Sequence, residues 1–365
     1  SIYLGIDVGA ISIKAALILS TEDADALGAG RDDNEVLRRL TVPPPLRQAA
    51  LVLKSRRTRG RPLDVAREVV DQILRRVPGD QVAGLMLTGS GAGLVAEALG
   101  ARTVNEFQAA ARAIDFLHPH VRTIFEIGGE SSRYVRLEPD PASGRLGILD
   151  YSANGDCAAG TGGFIDQQAQ RVRHSVEEIG ALVEGAQRAA QIAGRCSVFA
   201  KTDMIHAQQK GFAPSEVLRG LCHAVATNYR SAVVKGRTPV PPVMLLGGVS
   251  ANTAVVRSLR EVFLLTEDQL LVPAAAESLG AVGAALAALE AAQTEAVLGP
   301  SAPAPAESVA QQLARLIAAV HADGHSFPRQ KPLSLSGVNL LRSTARAYQF
   351  PLDGQRIDAY LGLDI

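Results

Sequence analysis

The sequence has few cysteines. Cysteine occurs only at positions 157, 196 and 222 of the 365 residues. This small, odd number argues against a disulfide framework, and the short apolar start Ile2 to Val8 does not resemble a secretory signal. We therefore expect a cytoplasmic protein whose cysteines ligate a metal or take part in catalysis, the alternative being that each is a small buried side chain.

Three further features are absent. Lysine plus arginine and aspartate plus glutamate both number 37, so no net charge attracts nucleic acid or an anionic membrane. The apolar stretch Val272 to Leu289 is interrupted by Glu277 and is expected to be a buried helix, not a membrane span. The pattern G-x-x-x-x-G-K-[ST] does not occur, which excludes an ordinary P-loop. A ligand or partner must therefore be recognised locally.

The order of predicted elements repeats once along the chain. Each half follows the order βββαβαβα, which is typical of an α/β protein with two similar lobes. The strand tips DVGAIS at 7–12 and EIGGES at 126–131 occupy corresponding places. A cleft between two such lobes is a default ligand site. The expected division is a first lobe over 1–118, a second lobe over 119–292, and a linker and helical tail over 293–357 with one helix at 309–320.

An acidic residue ends the first strand of each lobe. Asp7 and Glu126 stand at these tips, and Gly9, Gly128 and Gly129 follow them. Glycines let backbone N–H groups approach phosphate oxygens, and a carboxylate can hold Mg²⁺ through bound water. The tips therefore suggest a Mg–nucleotide site, although Asp-x-Gly after a strand is also a common plain turn.

Two more glycine-rich turns precede helices. Residues 160–163, GTGG, run into an amphipathic helix whose N-terminus could accept a phosphate. Gly247, Gly248 and Asn252 lie between a strand and a helix where an adenosine would lie in the second lobe. Either turn alone is equally consistent with a tight turn. Their combination at corresponding strand ends favours nucleotide binding.

The segments CAAGTGGF at 157–164 and CSVFAKTDMI at 196–205 carry a resemblance to a known family. The chain resembles, over about residues 2 to 290, the BadF/BadG/BcrA/BcrD ATPases, the activators of 2-hydroxyacyl-CoA dehydratases and benzoyl-CoA reductases. The resemblance implies the acetate and sugar kinase/chaperone/actin fold. It also implies ATP-driven transfer of a low-potential electron from a [4Fe–4S] cluster to an acyl-CoA dehydratase or reductase, with a ferredoxin- or flavodoxin-like donor.

The resemblance also implies roles for individual residues. Cys157 and Cys196 would each supply one cluster ligand, and Cys222 is expected to be a core residue. Asp7, Glu126 and Glu130 are the candidate catalytic residues, with Asp7 also holding Mg²⁺ through water. The residues expected to contact ATP or ADP are Gly9, Ala10, Ile11, Ser12, Lys14, Gly128, Gly129, Gly160, Thr161, Gly162, Asp166, Gly247, Gly248 and Asn252.

Some positions depart from the family pattern. Ala10 stands where a hydroxyl residue is usual, Glu130 and Ser131 replace a usual Gln-Asp pair, and Lys201 replaces an acid. Binding through backbone groups should survive these changes, whereas we expect hydrolysis to be slow. A small-molecule kinase of the same fold, such as a sugar kinase, and a non-catalytic regulatory module remain alternatives.

One chain offers two of the four thiolates that a [4Fe–4S] cluster requires. A homodimer would supply the other two by symmetry. The last residues, 358–365, repeat the first strand almost residue for residue. We therefore also expect that they begin a second, tandem module that could share the cluster.

Overall fold

The computed structural model describes residues 1–28, 37–155, 160–172, 174, 178–186, 188–193, 197–298 and 307–318. Residues 1–321 form one compact unit. Cys157, Cys196 and the C-terminal repeat at 358–365 lie outside the described residues. The predictions made for these positions are therefore not addressed by the structure.

A mixed seven-stranded sheet forms the first lobe, in the order β3-β4-β2-β1-β6-β7 with β5 paired to β2. Strand β1 lies near its centre because its residues are apolar on both faces, and it pairs antiparallel with β2 and parallel with β6. The strands are β1 (Ile2–Val8), β2 (Ser12–Ser20), β3 (Leu37–Leu40), β4 (Gln48–Leu53), β5 (Arg56–Arg57), β6 (Val82–Thr88) and β7 (Arg102–Thr103).

Strands β4 and β5 are additional to the predicted order. The third strand of the predicted order, expected at 35–42, corresponds to β3, but the sheet continues through β4, which pairs with both β2 and β3. Residues 49–53 are a short apolar run, and periodicity cannot assign such a run to strand or helix. Only pairing with β2 determines its conformation.

The second sheet has five strands in the order β10-β9-β8-β11-β12. Its first three strands form a meander, and β8 pairs parallel with β11 on its other side. This arrangement repeats the strand order at the start of the first lobe. The strands are β8 (Thr123–Ile127), β9 (Ser132–Pro139), β10 (Leu146–Ala153), β11 (Val243–Leu246) and β12 (Leu270–Leu271).

Helices cover both sheets. They are α1 (Thr21–Ala26), α2 (Pro62–Leu74), α3 (Ala92–Leu99), α4 (Glu106–Leu117), α5 (Gly162–Arg171), α6 (Ile179–Glu184), α7 (Ser197–Gln209), α8 (Pro214–Asn228), α9 (Thr253–Phe263), α10 (Leu279–Leu298) and α11 (Val309–Ala318). A π-helical turn, Tyr229–Val234, continues α8. None of the helices in the described ranges is both long enough and apolar enough to span a bilayer.

Helices α4 and α10 lie between the two sheets. One cluster of buried side chains joins Ala16 and Ile18 of the first sheet, Ile124 of the second, and residues of both helices. The first part of α10, residues 279–289, is apolar all round, as expected for a helical segment buried on every side, whereas the polar end at 290–297 reaches the surface. A methyl group added at Gly283 would lie 1.8 Å from the carbonyl oxygen of Ala109, so the two helices are in backbone contact.

The predicted tail helix is part of the first lobe. Leu313 and Leu316 of α11 are buried in the same cluster as side chains of β1, β6, α2 and α3. The amide of Gln312 donates to the carbonyl oxygen of Gly100 at 3.0 Å. The sequence predicts the helix correctly, whereas its packing depends on a complementary apolar surface that the first lobe provides.

Candidate functional site

Asp7 lies at the end of β1, in a pocket between the two sheets. Its side chain is 17% exposed, and Lys14, its partner across the hairpin, places Nζ 3.6 Å from Oδ2. Burial raises the pKa of Asp7 above the usual value, against the opposing charge of Lys14, and the carboxylate of Glu126 adds to the rise. The ionised form of Asp7 therefore lowers the stability of the folded protein relative to the protonated form.

Glu126 ends β8, the strand that corresponds to β1, and lines the same pocket as Asp7. Arg133 donates from Nη1 to Glu126 Oε1 at 2.8 Å. The other oxygen, Oε2, is buried and has no hydrogen-bond partner within the described residues. The structure therefore brings together the two acids that the sequence places at corresponding strand tips.

Three further charged residues, Glu106, Arg133 and Glu277, line the pocket, and none of them was predicted as a site residue. Glu106 begins α4, directly after Asn105, whose side chain caps the helix. Its carboxylate forms an ion pair with Arg133, whose side chain is 6% exposed. Burial raises the pKa of Glu106, and Arg133 opposes that rise. Arg133 could have been found from the hairpin register, because it pairs directly with Glu126 across the strands.

The two acidic tips are closed by the same hydrogen bond. The N–H of Gly9 donates to the carbonyl oxygen of Ser12 at 3.0 Å, and the N–H of Gly128 donates to that of Ser131 at 2.8 Å. A methyl group added at Gly129 would lie 2.2 Å from Cγ1 of Ile11, so the two tips are in contact. Ala10 and Ile11 form the first tip, and their carbonyl oxygens accept from the hydroxyl of Thr58.

The glycine-rich start of α5 supports the second tip. Gly162 and Gly163 donate their N–H groups to the carbonyl oxygens of Gly128 and Gly129 at 2.8 and 2.6 Å. Gly160 has φ +80°, and Thr161 is the buried N-cap residue. Because these two N–H groups already have acceptors, the helix start positions the tip, and its predicted contact with phosphate stays a prediction. Asp166 lies half-buried on α5.

The turn after β11 lies against the end of β8. Gly247 has φ +88°, and a methyl group there would lie 2.4 Å from the carbonyl oxygen of Ile127, so only glycine fits. Gly248 has open space around its Cα. The side-chain oxygen of Asn252 caps α9 by accepting from the N–H groups of Ala254 and Val255. That oxygen is therefore committed to the helix, and a nucleotide contact by Asn252 stays a prediction.

Two further predicted residues lie away from the pocket. Glu130 is exposed at the second tip, and its carbonyl oxygen accepts from the side-chain amide of Asn154 at 3.2 Å. Cys222 is fully buried in α8, where burial raises the pKa of its thiol to about 12. It is therefore a neutral thiol near pH 7, as expected of a core residue. The structure describes no cluster of three His, Cys, Asp or Glu side chains arranged to hold a metal ion in the described ranges.

The known proteins to which this chain is similar include dehydratase activators. The 2-hydroxyisocaproyl-CoA dehydratase activator of Clostridioides difficile is 32% identical over 190 residues, 52% of this chain and 68% of that protein. The activator of lactoyl-CoA dehydratase of Anaerotignum propionicum is 33% identical over 192 residues, 53% of this chain and 71% of that protein.

A solved structure supports the fold. The activator of the 2-hydroxyisocaproyl-CoA dehydratase from Clostridium difficile, with bound ADPNP, aligns with a TM-score of 0.64 at 23% identity and covers 83% of this chain and 100% of that one. This confirms the predicted two-lobed acetate and sugar kinase/chaperone/actin-like fold. The sequence model of one family matches residues 4–288. The resemblance is thus confirmed, and the chain belongs to the BadF/BadG/BcrA/BcrD ATPase family.

Proposed function

We propose that this protein binds and hydrolyses Mg·ATP in the pocket between its lobes. The observation that carries the proposal is the pair of acids, Asp7 and Glu126, which end corresponding strands and line one pocket. Each is followed by a hairpin closed in the same way by a glycine N–H. The membership in an ATPase family and the nucleotide in the related activator structure support the same function.

The acids of the pocket have the chemistry that Mg²⁺ requires. Magnesium prefers hard oxygen ligands, commonly one or two carboxylates and several waters. Within the described part of the chain, the Oε2 atom of Glu126 lacks a hydrogen-bond donor, and burial raises the pKa of Asp7 despite the nearby charge of Lys14. Asp7 and Glu126 would therefore hold the ion, which neutralises phosphate charge when bound.

Glu126 is better placed than Glu130 to orient an attacking water. Glu126 lines the pocket and has one carboxylate oxygen without a hydrogen-bond partner in the described ranges, whereas Glu130 is exposed at the surface of its tip. A carboxylate that accepts a hydrogen bond from water can position it for attack on a phosphoryl group. The N–H groups of the two tips other than those of Gly9 and Gly128 would bind the phosphates together with Lys14, and the turn at Gly247 and Gly248 would lie near the adenosine. Slow turnover follows from the altered residues at positions 10, 130 and 131.

Hydrolysis would drive electron transfer to a partner enzyme. The relatives are described as activators of 2-hydroxyisocaproyl-CoA and lactoyl-CoA dehydratases. By analogy, this protein would pass a low-potential electron from a [4Fe–4S] cluster to an acyl-CoA dehydratase or reductase after reduction by a ferredoxin- or flavodoxin-like donor. Cys157 and Cys196 would supply two ligands, and a second copy or a tandem module the other two. Cys222 is too deeply buried to contribute.

Iron and sulfide analysis of anaerobically purified protein tests this proposal. We expect about four irons for every two modules, because four thiolates hold one cluster. The iron should be lost in Cys157→Ala and in Cys196→Ala, and kept in the matched control Cys222→Ala. Calorimetry should show that ATP binds in the presence of Mg²⁺. An iron-free, colourless protein that binds ATP would favour a kinase of the same fold, and a protein that binds no nucleotide would favour a regulatory module.

A further inference from the structure

The guanidinium of Arg133 contacts groups from three parts of the protein. Nη1 donates to Glu126 of β8 at 2.8 Å, and Nη2 pairs with Glu106 at the start of α4. Nη2 also donates to the hydroxyl of Ser131, in the second tip, at 3.0 Å. The ring of Phe107 lies 5.8 Å from Cζ. One side chain thus joins a strand end, a hairpin tip and a helix start around the pocket.

The backbone of Arg133 is also held in place by its neighbours. Arg133 lies on β9, where its backbone pairs in register with Glu126. Its carbonyl oxygen accepts from the buried hydroxyl of Tyr229 at 2.6 Å. With a side chain that is only 6% exposed, Arg133 has little freedom to leave Glu126. The guanidinium is therefore an anchored group and not a mobile surface cation.

Arg133 donates to one of the two carboxylate oxygens of Glu126. Among the residues that the structure describes, only Oε1 of Glu126 receives a hydrogen bond, and Oε2 is buried without a donor, while the side chain lines the pocket that Asp7 shares. A bidentate contact would satisfy both oxygens and withdraw the carboxylate from ligands. The second Nη group contacts Glu106 and Ser131 instead, so Arg133 reaches Glu126 through Nη1. The result is a carboxylate whose orientation is fixed and whose second oxygen is buried without a donor among the described residues.

We propose that Arg133 is a positioning residue for the ATPase reaction. It holds Glu126 through Oε1 and leaves Oε2 to accept a hydrogen bond from water or to bind Mg²⁺. It also offsets the charges of Glu106 and Glu126, which are half-buried, so that these two carboxylates do not repel the phosphates of the nucleotide. This inference rests on the proposed function, because it assigns a role within the same site.

The geometry of arginine is essential to this role. A guanidinium presents donors in two directions from one plane, whereas the ammonium of lysine is a single point charge on a flexible stem. Arg133→Lys therefore keeps the positive charge but cannot hold Glu126 and Glu106 in the same arrangement. The substitution separates the effect of charge, which governs nucleotide binding, from the effect of position, which governs turnover.

The experiment compares Arg133→Lys with Arg136→Lys. Arg136 lies on the same strand, is 16% exposed, and donates to the carbonyl oxygens of Arg122 and Leu137, away from the pocket. For Arg133→Lys we expect kcat to fall about 10²-fold, since a displacement of about 1 Å at a reacting group has that effect. Its Kd for ADP with Mg²⁺, measured by calorimetry, should change by less than about threefold because the charge is kept. Arg136→Lys should match the wild type in both.

A second variant tests the same point by chemical rescue. Arg133→Gly removes the guanidinium but leaves a space that free guanidinium ion can enter. Millimolar guanidinium chloride should restore part of the lost turnover, and sodium chloride at the same concentration should not. A residue that only stabilised the fold would show no such rescue. If the glycine variant does not fold, Arg133→Lys still decides the inference.

The possible results distinguish the positioning role of Arg133 from the proposed function. Wild-type turnover in Arg133→Lys would overturn the positioning role and leave the proposed function intact. Equal losses of kcat and of ADP affinity, without rescue in Arg133→Gly, would also overturn it, because they indicate a general disturbance of the pocket. Failure of the wild-type protein to bind ADP would overturn the proposed function, and the present inference with it.

Discussion

The contact between β1 and α10 makes Gly5 a sensitive position. Gly5 lies in the middle of β1, two residues before Asp7. A methyl group at this position would lie 2.0 Å from the carbonyl oxygen of Ala281 and 2.3 Å from the backbone nitrogen of Ala285. Both are main-chain atoms of α10 and cannot rotate away. Gly5→Ala must therefore move the helix, the strand or both.

The size of the movement follows from the distances. A carbon atom normally approaches a carbonyl oxygen to about 3.3–3.6 Å, so α10 must retreat from β1 by more than about 1 Å. Such a gap forfeits about a quarter to a half of the dispersion energy of each contact along the interface. Overpacking of a core typically costs about 1–3 kcal/mol and sometimes more. We expect Gly5→Ala to lower the free energy of unfolding by about 3 kcal/mol or more.

Gly5→Ala should also change the pocket that contains Asp7. Gly280 of α10 adjoins Asp7, since a methyl group at Gly280 would lie 3.1 Å from Asp7 Oδ2. A retreat of α10 therefore changes the surroundings of Asp7. We expect the affinity for Mg·ATP, measured by calorimetry on the folded variant, to fall together with the stability.

Urea unfolding followed by circular dichroism measures the stability effect. Gly147→Ala on β10 is the matched control, because the atom nearest to its added methyl group is 3.8 Å away. This control should lie within about 0.5 kcal/mol of the wild type. If Gly5→Ala were as stable as Gly147→Ala, the result would contradict the close packing of α10 on β1.

Three further predictions concern the pocket and the lobes. The folded protein raises the pKa of Asp7, so its stabilising contribution is present at low pH and is lost as the pH rises through that pKa. Asp7→Asn should therefore raise the free energy of unfolding at pH 7, and this gain should become smaller in acid. The same substitution should weaken Mg·ATP binding in calorimetry. An unchanged affinity would show that Asp7 is not part of the site. Glu130→Gln should leave the ATPase rate equal or higher, since this side chain is exposed, and a collapse of the rate in a phosphate-release assay would make Glu130 the base. Leu313→Ala should lower the free energy of unfolding by about 2–5 kcal/mol in urea melts, because Leu313 is fully buried against the first lobe; a loss below about 0.5 kcal/mol would show that α11 is a dispensable tail.

Helix α11 shows which part of a prediction local sequence can support. Its apolar residues recur at helical spacing, and the predicted range 309–320 agrees with the observed Val309–Ala318. The same pattern does not say what the apolar face contacts. Leu313 and Leu316 are buried only because α2, α3 and β6 leave a matching surface. Periodicity thus determines the helix, and shape complementarity determines its place.

In the candidate site, too, some residues can be predicted from local sequence and others depend on tertiary packing. Asp7 and Glu126 could be predicted because strand periodicity and glycine turns place an acid at the end of each first strand, and both signals are local. Glu106 and Arg133 were not predicted. Glu106 lies at the start of a helix, and it enters the pocket because α4 packs between the sheets against Gly283 of α10. Backbone turns are set by neighbouring residues, whereas the charge balance of a pocket is set by elements that meet only when the chain is folded.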